Sequence, residues 1–110
     1  MSDYKMPRPP KDTPPLYAQD GKGYEATVYA HYFIGNCDWL ITEYDPEEDR
    51  AFGWACVGDR DRAELGYLFL FELEQVRVRG VFLVDYEIGW QRVTLTEAIA
   101  ELDRKQGWTR

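Results

Sequence analysis

The clearest pattern of apolar and polar positions lies between residues 37 and 58, where two runs of aromatic and β-branched residues flank the polar segment 45–49. Such runs favour strands, and the Asp-Pro pair that opens the polar segment favours a turn. The first run is apolar on both sides, with Trp39 and Ile41 on one and Leu40 and Tyr44 on the other. A strand that is apolar on both faces is covered on both faces. The pattern therefore predicts a β-hairpin at the centre of a sheet.

Three further segments have the apolar alternation or the β-branched and aromatic content of strands: residues 24–34, 64–71 and 81–90. Gly35-Asn36 and the charged segment 58–62 separate two of them from the hairpin. Residues 71–77 fit either a strand or two helical turns, because apolar residues recur there at three-residue spacing. Together with the hairpin, these segments predict an antiparallel sheet of about five strands.

A helix is predicted from Thr94, because Thr94-Leu-Thr-Glu97 has the form of a capping box. Apolar residues follow at helical spacing and form one stripe: Leu95, Ala98, Ile99 and Leu102. Gly107 supplies a helix stop. The predicted fold class is therefore α+β, an antiparallel sheet with one or two helices packed on a face.

The first residues of the chain differ in composition from the rest. Five of the six prolines lie in residues 1–15, which have no hydrophobic periodicity. We therefore expect residues 1–13 to form a flexible Pro-rich arm and residues 14–110 to form a single domain. The N-terminus lacks an apolar signal segment, so we expect a cytoplasmic protein in which Cys37 and Cys56 are reduced.

Charge is unevenly distributed along the chain. The formal net charge is −7, but residues 24–90 hold five Lys and Arg against fourteen Asp and Glu. Direct binding to nucleic acid is disfavoured, because the phosphates would be repelled. No run of apolar residues is long enough to cross a membrane. The charge therefore favours a basic protein surface as the partner.

Catalytic and metal-binding patterns are weak. The single histidine, His31, lies within a predicted strand, and the single serine, Ser2, lies in the predicted arm. A pairing of His31 with one of the cysteines stays open, but the spacing does not require it. One histidine and two cysteines give no recognisable zinc ligand set, and we expect no cofactor. Most of the abundant aromatic residues are expected in the core.

Carboxylates are the most abundant candidate chemistry, and they concentrate at the hairpin turn and in the following loop. The candidate binding residues are Glu43, Asp45, Glu47, Glu48, Asp49, Asp59, Asp61 and Glu64. Solvated turn charges are the simplest interpretation, since segment 45–49 lacks the alternating ligands and central glycine of a calcium loop. Glu43 differs, because a carboxylate within a strand needs a partner if it is buried.

Several segments occur in the order and spacing of a known family: Pro14-Pro-Leu-Tyr-Ala18, Gly21-Lys-Gly23, Ile41-Thr-Glu-Tyr-Asp-Pro-Glu47, Glu64-Leu-Gly-Tyr67 and Glu72-Leu-Glu74. From about Pro14 to Glu101, the chain resembles the bacterial domain-of-unknown-function 2958 family. Members of that family occur largely on plasmids, integrative elements and phages. The resemblance implies no activity. It implies a mobile-element habitat, in which small accessory proteins often act on host defence.

These observations favour a non-enzymatic, acidic protein-binding module over an enzyme. In the narrower hypothesis it is an anti-defence protein, whose carboxylates mimic a nucleic acid and occupy a basic channel of a host nuclease or CRISPR effector. The alternative is a small-ligand-binding or hydrolytic protein that uses Glu43 and neighbouring carboxylates. A pocket that encloses Glu43 would favour the alternative.

Overall fold

The computed structural model describes residues 4–80 and 82–106. These residues contain two helices, α1 (Leu70–Leu73) and α2 (Leu95–Gln106), together with 3-10 turns at Gly23–Glu25 and Arg60–Arg62. The strands are β1 (Thr27–Val28), β2 (Ala30–Ile34), β3 (Cys37–Asp45), β4 (Arg50–Val57), β5 (Glu64–Phe69), β6 (Arg77–Val78), β7 (Phe82–Leu83), β8 (Asp85–Tyr86) and β9 (Val93–Thr94).

The main sheet has five antiparallel strands in the order β5-β4-β3-β2-β8. Strands β2 to β5 form a meander, in which each strand pairs with the next along the chain. The hairpin predicted between residues 37 and 58 is β3 and β4, and β3 is the central strand. Two short pairs, β1 with β9 and β6 with β7, complete the described strands. The predicted α+β class is confirmed.

Both faces of the main sheet are covered. Helix α2 packs Leu95, Ala98 and Leu102 against Leu40 and Trp54, and we call this side the helix face. On the opposite side, the arm face, the core contains Trp39, Ile41, Tyr32, Met6, Leu70, Leu73 and Val84. Each face of the sheet meets a separate core, so the central strands are apolar at both odd and even positions.

A β-bulge changes the alternation of side chains near the end of β3. Ile41 pairs with Gly53, and Glu43, two residues on, pairs with Phe52, so one extra residue lies in β3. The extra residue moves Tyr44 to the arm face, where it joins the core with Trp39 and Ile41. The sequence pattern had placed Tyr44 beside Leu40, because strict alternation contains no bulge.

The N-terminal segment from Tyr4 is attached to the domain, which corrects the expectation of a flexible arm for the described residues 4–13. Met6 is only 3% exposed and belongs to the arm-face core. The hydroxyl of Tyr32 donates to the carbonyl of Pro7 at 2.7 Å. A Pro-rich composition without hydrophobic periodicity predicts mobility, but the prolines also fix the backbone in an extended form. The segment therefore loses little conformational entropy when it packs on the domain.

The capping box at the start of α2 is confirmed. The amide of Glu97 donates to the Thr94 hydroxyl, and the amide of Thr94 donates to the Glu97 carboxylate at 3.0 Å. The apolar stripe of α2 is docked, with Leu102 only 7% exposed. Residues 71–77 form neither two helical turns nor one strand, since α1 is a single turn that is followed by β6. The predicted stop at Gly107 lies outside the described residues.

Two predicted strands are divided in the structure. Segment 24–34 breaks at Tyr29, because β1 pairs with β9 whereas β2 pairs with β3. Segment 81–90 divides into β7 and β8, which belong to different sheets. No helix in the described parts of the chain is long and apolar enough to cross a membrane.

Candidate functional site

The structure separates the eight predicted acidic residues into three places. Asp45, Glu47 and Glu48 lie at the turn of the hairpin, and we call these three residues the acidic tip. Asp59 and Asp61 lie in the loop that follows the other end of β4, and Glu64 is the first residue of β5. The eight residues of β4 span roughly 25 Å, so the two groups do not form one continuous surface. Glu43 and Asp49 are engaged within the fold.

Glu43 is an internal carboxylate that fixes a loop. Its side chain is nearly inaccessible, and its two oxygens accept the backbone amides of Tyr17 and Gln19 at 2.8 and 2.7 Å. Tyr17 has a φ of +76°, a left-handed conformation that is uncommon for a residue other than glycine. The two hydrogen bonds therefore hold a strained backbone in place.

A cleft of about 380 Å³ borders Glu43. A pocket at this residue is the feature that would favour a small-ligand-binding or hydrolytic protein. Both carboxylate oxygens are nevertheless already occupied by the amides of the 17–19 loop. A general acid or base must reach a substrate proton within hydrogen-bonding distance. The geometry therefore supports a positioning role for Glu43.

Asp49 is bound by the N-terminal segment. Arg8 Nε and Nη2 donate to Asp49 Oδ1 and Oδ2 at 2.8 and 2.9 Å, and the Tyr44 hydroxyl donates to the same carboxylate. Glu74 completes the cluster, because its carboxylate accepts from Arg8 and from the amide of Met6. Hydrogen bonding to Arg8 lowers the pKa of Glu74. Asp49 thus anchors the N-terminal segment.

The acidic tip remains available to solvent. Asp45 accepts the amide of Glu47 at 3.0 Å, which shapes the turn, and its side chain is half-buried. Glu47 and Glu48 are exposed. The ion pair between Glu48 and Arg50 is long, at 3.9 Å, so it neutralises little charge at this exposed position.

Beside the tip, on the helix face, lies a cluster that we call the aromatic patch: Tyr17, Arg50, Phe52 and Tyr67. Phe52 and Tyr67 are paired across β4 and β5, with ring centroids 4.8 Å apart. Tyr17 meets the edge of Tyr67, and the Arg50 guanidinium lies 4.4 Å from the centre of the Tyr67 ring. Tyr17 and Tyr67 are 58% and 45% exposed.

Sequence reasoning missed this patch. The pairing of β4 with β5 places Arg50, Phe52 and Tyr67 on one face, and alternation along the two predicted strands could have indicated it. No pattern in the sequence signals that Tyr17 joins them, because the contact depends on the loop that Glu43 holds. Desolvation raises the pKa of the Tyr67 hydroxyl, and hydrogen bonding to Tyr17 and the negative charges of Asp20 and Glu43 add to the effect.

Among the carboxylates beyond the other end of β4, Asp59 has local partners. Asp59 accepts the amide of Asp61 at 3.0 Å and lies 3.6 Å from Arg62. Glu64 is exposed at the first position of β5. Arg60, in the same turn, is bound to Asp103 of α2 at 2.8 Å. These contacts serve the turn and its attachment to α2.

His31 is buried between two carboxylates. Its Nε2 lies 2.8 Å from Asp38 and its Nδ1 lies 2.7 Å from Glu87, while Phe33 and Trp90 flank the ring. An Asp-His pair resembles the base of a catalytic triad, but a base needs one ring nitrogen free for the nucleophile. Both nitrogens are occupied here. His31 therefore links strand β2 to β3 and to the segment that follows β8.

The sulfur and metal chemistry of the described residues is limited. Cys37 and Cys56 are free thiols, and desolvation raises the pKa of both, which disfavours the reactive thiolate. Among residues 4–80 and 82–106, no group of three or more His, Cys, Asp and Glu side chains is placed to hold a metal ion. The exposed tip and the aromatic patch are thus the surface with the most distinctive chemistry.

Comparison with known proteins gives one match. The family model described as "Protein of unknown function (DUF2958)" covers residues 18–108. No curated protein and no solved structure matches the chain. The matched range includes Glu43, the acidic tip and most of the aromatic patch.

Proposed function

Since this chain belongs to the DUF2958 family, whose description assigns no activity, we propose a function from its geometry: a protein-binding module that contacts a basic surface of a partner. The observation that carries the proposal is the exposure of Tyr17 and Tyr67 near the acidic tip, with Arg50 in contact with both Tyr67 and Glu48. Exposed aromatic residues that form a contiguous cluster mark interaction surfaces.

The chemistry of this surface suits Arg and Lys side chains of a partner. Carboxylates at the tip attract cations over distance and accept their hydrogen bonds. The face of an exposed tyrosine binds a guanidinium or ammonium group, as the contact between Arg50 and Tyr67 already illustrates within the chain. Aromatic residues and Arg are also enriched in protein interfaces.

Glu43 contributes to the surface from within. By holding the backbone of Tyr17 in its left-handed conformation, it fixes the ring of Tyr17 beside Tyr67 before any partner arrives. A surface that is ordered in advance loses less conformational entropy on binding. Glu43 is thus a positioning residue of the proposed interface.

The test uses a partner captured from host lysate and then prepared as a pure protein. In the tip variant, Asp45→Asn, Glu47→Gln and Glu48→Gln are combined, so that three charges are removed while the polar side chains remain. We expect weaker binding, mainly through a slower association rate, and a smaller dependence on salt. The fold should be retained, since Glu47 and Glu48 are exposed and an asparagine at position 45 keeps an oxygen that can accept the amide of Glu47.

A matched control removes three charges from the opposite end of β4, with Asp59→Asn, Asp61→Asn and Glu64→Gln. This variant has the same net charge as the tip variant and should bind almost as wild type does. Equal losses in both variants would show that net charge alone drives association. The single change Tyr67→Ala should increase the dissociation rate, because it removes a contact made only in the complex.

The narrower form of the proposal is that the partner is a host nuclease or CRISPR effector and that the tip occupies its nucleic-acid channel. It is supported by the acidic tip and by the mobile-element habitat that the resemblance implies. Duplex DNA added to the purified complex should then displace the protein, and nuclease activity should fall as the protein is added. A complex that DNA leaves intact would contradict this form while leaving the protein-binding surface in place.

A further inference from the structure

Strand β5 is a full-length strand with a free edge. In the order β5-β4-β3-β2-β8 it is the outermost strand, and β4 is its only partner among the described strands. The other edge, β8, is just two residues long, whereas β5 has six. The outer backbone amides and carbonyls of β5 are therefore placed to pair with a further strand.

Edge strands in natural proteins usually carry features that prevent such pairing, and β5 has few of them. Its sequence, Glu64-Leu-Gly-Tyr-Leu-Phe69, contains no proline, lysine or arginine, and its single charge stands at the first position. Its register with β4 runs through all six residues without a bulge. Lys, Pro and bulges are the common protective devices, so little in the sequence or register of β5 opposes the pairing of a further strand.

A side-chain notch lies beside this edge on the arm face. Gly66 is paired with Gly53, so two adjacent strands lack side chains at the same level. The result is a cleft of about 310 Å³ lined by Trp39, Ala55, Glu64, Leu65, Gly66, Tyr67 and Leu68. An added Cβ on Gly66 would meet no atom within 4 Å. The notch therefore has room for an apolar side chain over Ala55 and Trp39.

We propose that β5 binds an extended basic segment of a partner protein as a sixth strand of the sheet. Backbone hydrogen bonds along β5 supply affinity, and the notch at Gly66 accepts an apolar side chain of the segment. Basic side chains of the segment lie on the opposite face of the added strand, beside the exposed ring of Tyr67. This inference deepens the proposed function, on which it rests for the basic character of the partner.

Charge selects this occupant over a second copy of the same chain. Each copy carries a net charge of −7, so edge-to-edge pairing of two copies would bring two acidic molecules together. A basic segment gains attraction from the same charge. The occupant that fits the edge is therefore a strand with alternating apolar and basic residues.

The test uses a synthetic peptide of alternating Lys and Val with blocked ends and a matched peptide of alternating Glu and Val. Amide hydrogen exchange is followed by NMR for the whole chain. With the basic peptide, we expect the outward amides of β5 to exchange at about one tenth of their rate in the free protein, or more slowly still. Amides of β8 should not change, and the acidic peptide should have no effect. Unchanged exchange in β5, or equal protection by both peptides, would overturn the proposal.

A second experiment fills the notch. Gly66→Val should weaken binding of the basic peptide about tenfold, and Gly66→Ala should have a smaller effect. The peptide itself supplies a test that leaves the protein unchanged, since replacement of its valines by glycine should also weaken binding. Unaltered affinity in both experiments would show that the notch takes no part. A dimer in sedimentation of the protein alone, broken by Gly66→Val, would identify a second copy as the occupant and overturn the choice of partner.

The two proposals fail separately in these experiments. The tip variant is measured against the purified partner, and Gly66→Val is measured against the peptide. If the tip variant and Tyr67→Ala both bind the partner as wild type does, the proposed function is refuted, whatever the peptide does. Protection of β5 by the peptide still stands in that case, because it is observed on the backbone of β5 alone.

Discussion

Among the described glycines, Gly53 is the one at which an added Cβ would meet the closest atom. A Cβ at this position would lie 2.0 Å from the carbonyl oxygen of Leu40, at the bulge where Ile41 pairs with Gly53. The obstacle is backbone of the central strand, so it cannot move aside as a side chain would. We expect Gly53→Ala to lower the free energy of unfolding by about 1–3 kcal/mol or more, measured by urea denaturation.

Its cross-strand partner is a matched control. Gly66 is paired with Gly53, and a Cβ there meets no atom within 4 Å. Gly66→Ala should leave stability unchanged or increase it slightly, because alanine restricts the unfolded chain more than glycine does. Equal losses in the two variants would mean that glycine itself, rather than the approach of the Leu40 carbonyl, accounts for the effect.

Glu43 is expected to contribute to stability through the loop that it holds. In Glu43→Gln, one acceptor oxygen becomes an amide that faces a backbone N–H of the 17–19 loop. We expect a loss of about 1–3 kcal/mol and faster amide exchange at Tyr17 and Gln19, because a buried donor is left unpaired. Glu47→Gln, at the exposed tip, is the control and should be neutral. A neutral Glu43→Gln variant would contradict the positioning role.

The sequence was informative about Glu43 but not about its partners. A carboxylate between apolar strand residues indicated burial and a need for compensation. The compensating groups are backbone amides of a loop that is distant in sequence, and backbone amides carry no residue signature. The same limit applies to Asp49, whose partner Arg8 is far away in the chain. Local patterns identify the residue under constraint, whereas tertiary structure supplies the constraint.

At the scale of elements, the N-terminal segment is the main addition that the structure makes. Met6 is buried in the arm-face core, so Met6→Ala should lower the free energy of unfolding by about 2–5 kcal/mol. Lys5→Ala, at the exposed neighbouring position, should have little effect. The comparison is made by thermal and urea denaturation. A neutral Met6→Ala variant would support the original expectation of a free arm.

Elements with strong local signals were predictable, and those defined by a change of partner were not. The central hairpin has a turn sequence between two strand-forming runs, and α2 has a capping box and a stripe. Segment 24–34 has an equally clear alternation, but its strand breaks at Tyr29 because β1 and β2 pair with different strands. Segment 81–90 was likewise predicted as one strand, but it divides into β7 and β8, which pair in different sheets. Hydrophobic alternation shows that a segment is extended without identifying its partner.

At the scale of the whole molecule, three ionised carboxylates join segments that are distant in the chain or cap a helix. Asp12 binds Arg92 at 2.6 and 2.7 Å, Glu74 binds Arg8 and the amide of Met6, and Glu97 caps α2. The pKa of each is lowered, by hydrogen bonding to Arg92, to Arg8 and to the backbone of Thr94 respectively. Two of these contacts attach the N-terminal segment to the domain.

These lowered pKa values fix the sign of the pH dependence. A carboxyl group whose pKa is lower in the folded state stabilises the fold above its ordinary pKa, near 3.8 for Asp and 4.5 for Glu. That contribution is lost as the pH falls through the folded-state value. We therefore expect the urea midpoint to be nearly constant at neutral pH and to decrease progressively below about pH 4.5. The N-terminal segment should detach first, which amide exchange at Met6 and Arg8 would detect.

Arg8→Met removes the guanidinium that Glu74 shares with Asp49, and so tests the part of this dependence that Arg8 supports. Without the guanidinium, Glu74 loses the hydrogen bond that chiefly lowers its pKa, so its protonation should oppose folding less. The variant should be less stable than wild type at neutral pH, and the difference between the two should shrink as the pH falls. Lys105→Met, on the exposed surface of α2, is the control and should leave the acid dependence unchanged. A difference between Arg8→Met and wild type that stays constant from neutral to acidic pH would show that Arg8 stabilises the segment by packing, with no contribution from its charge.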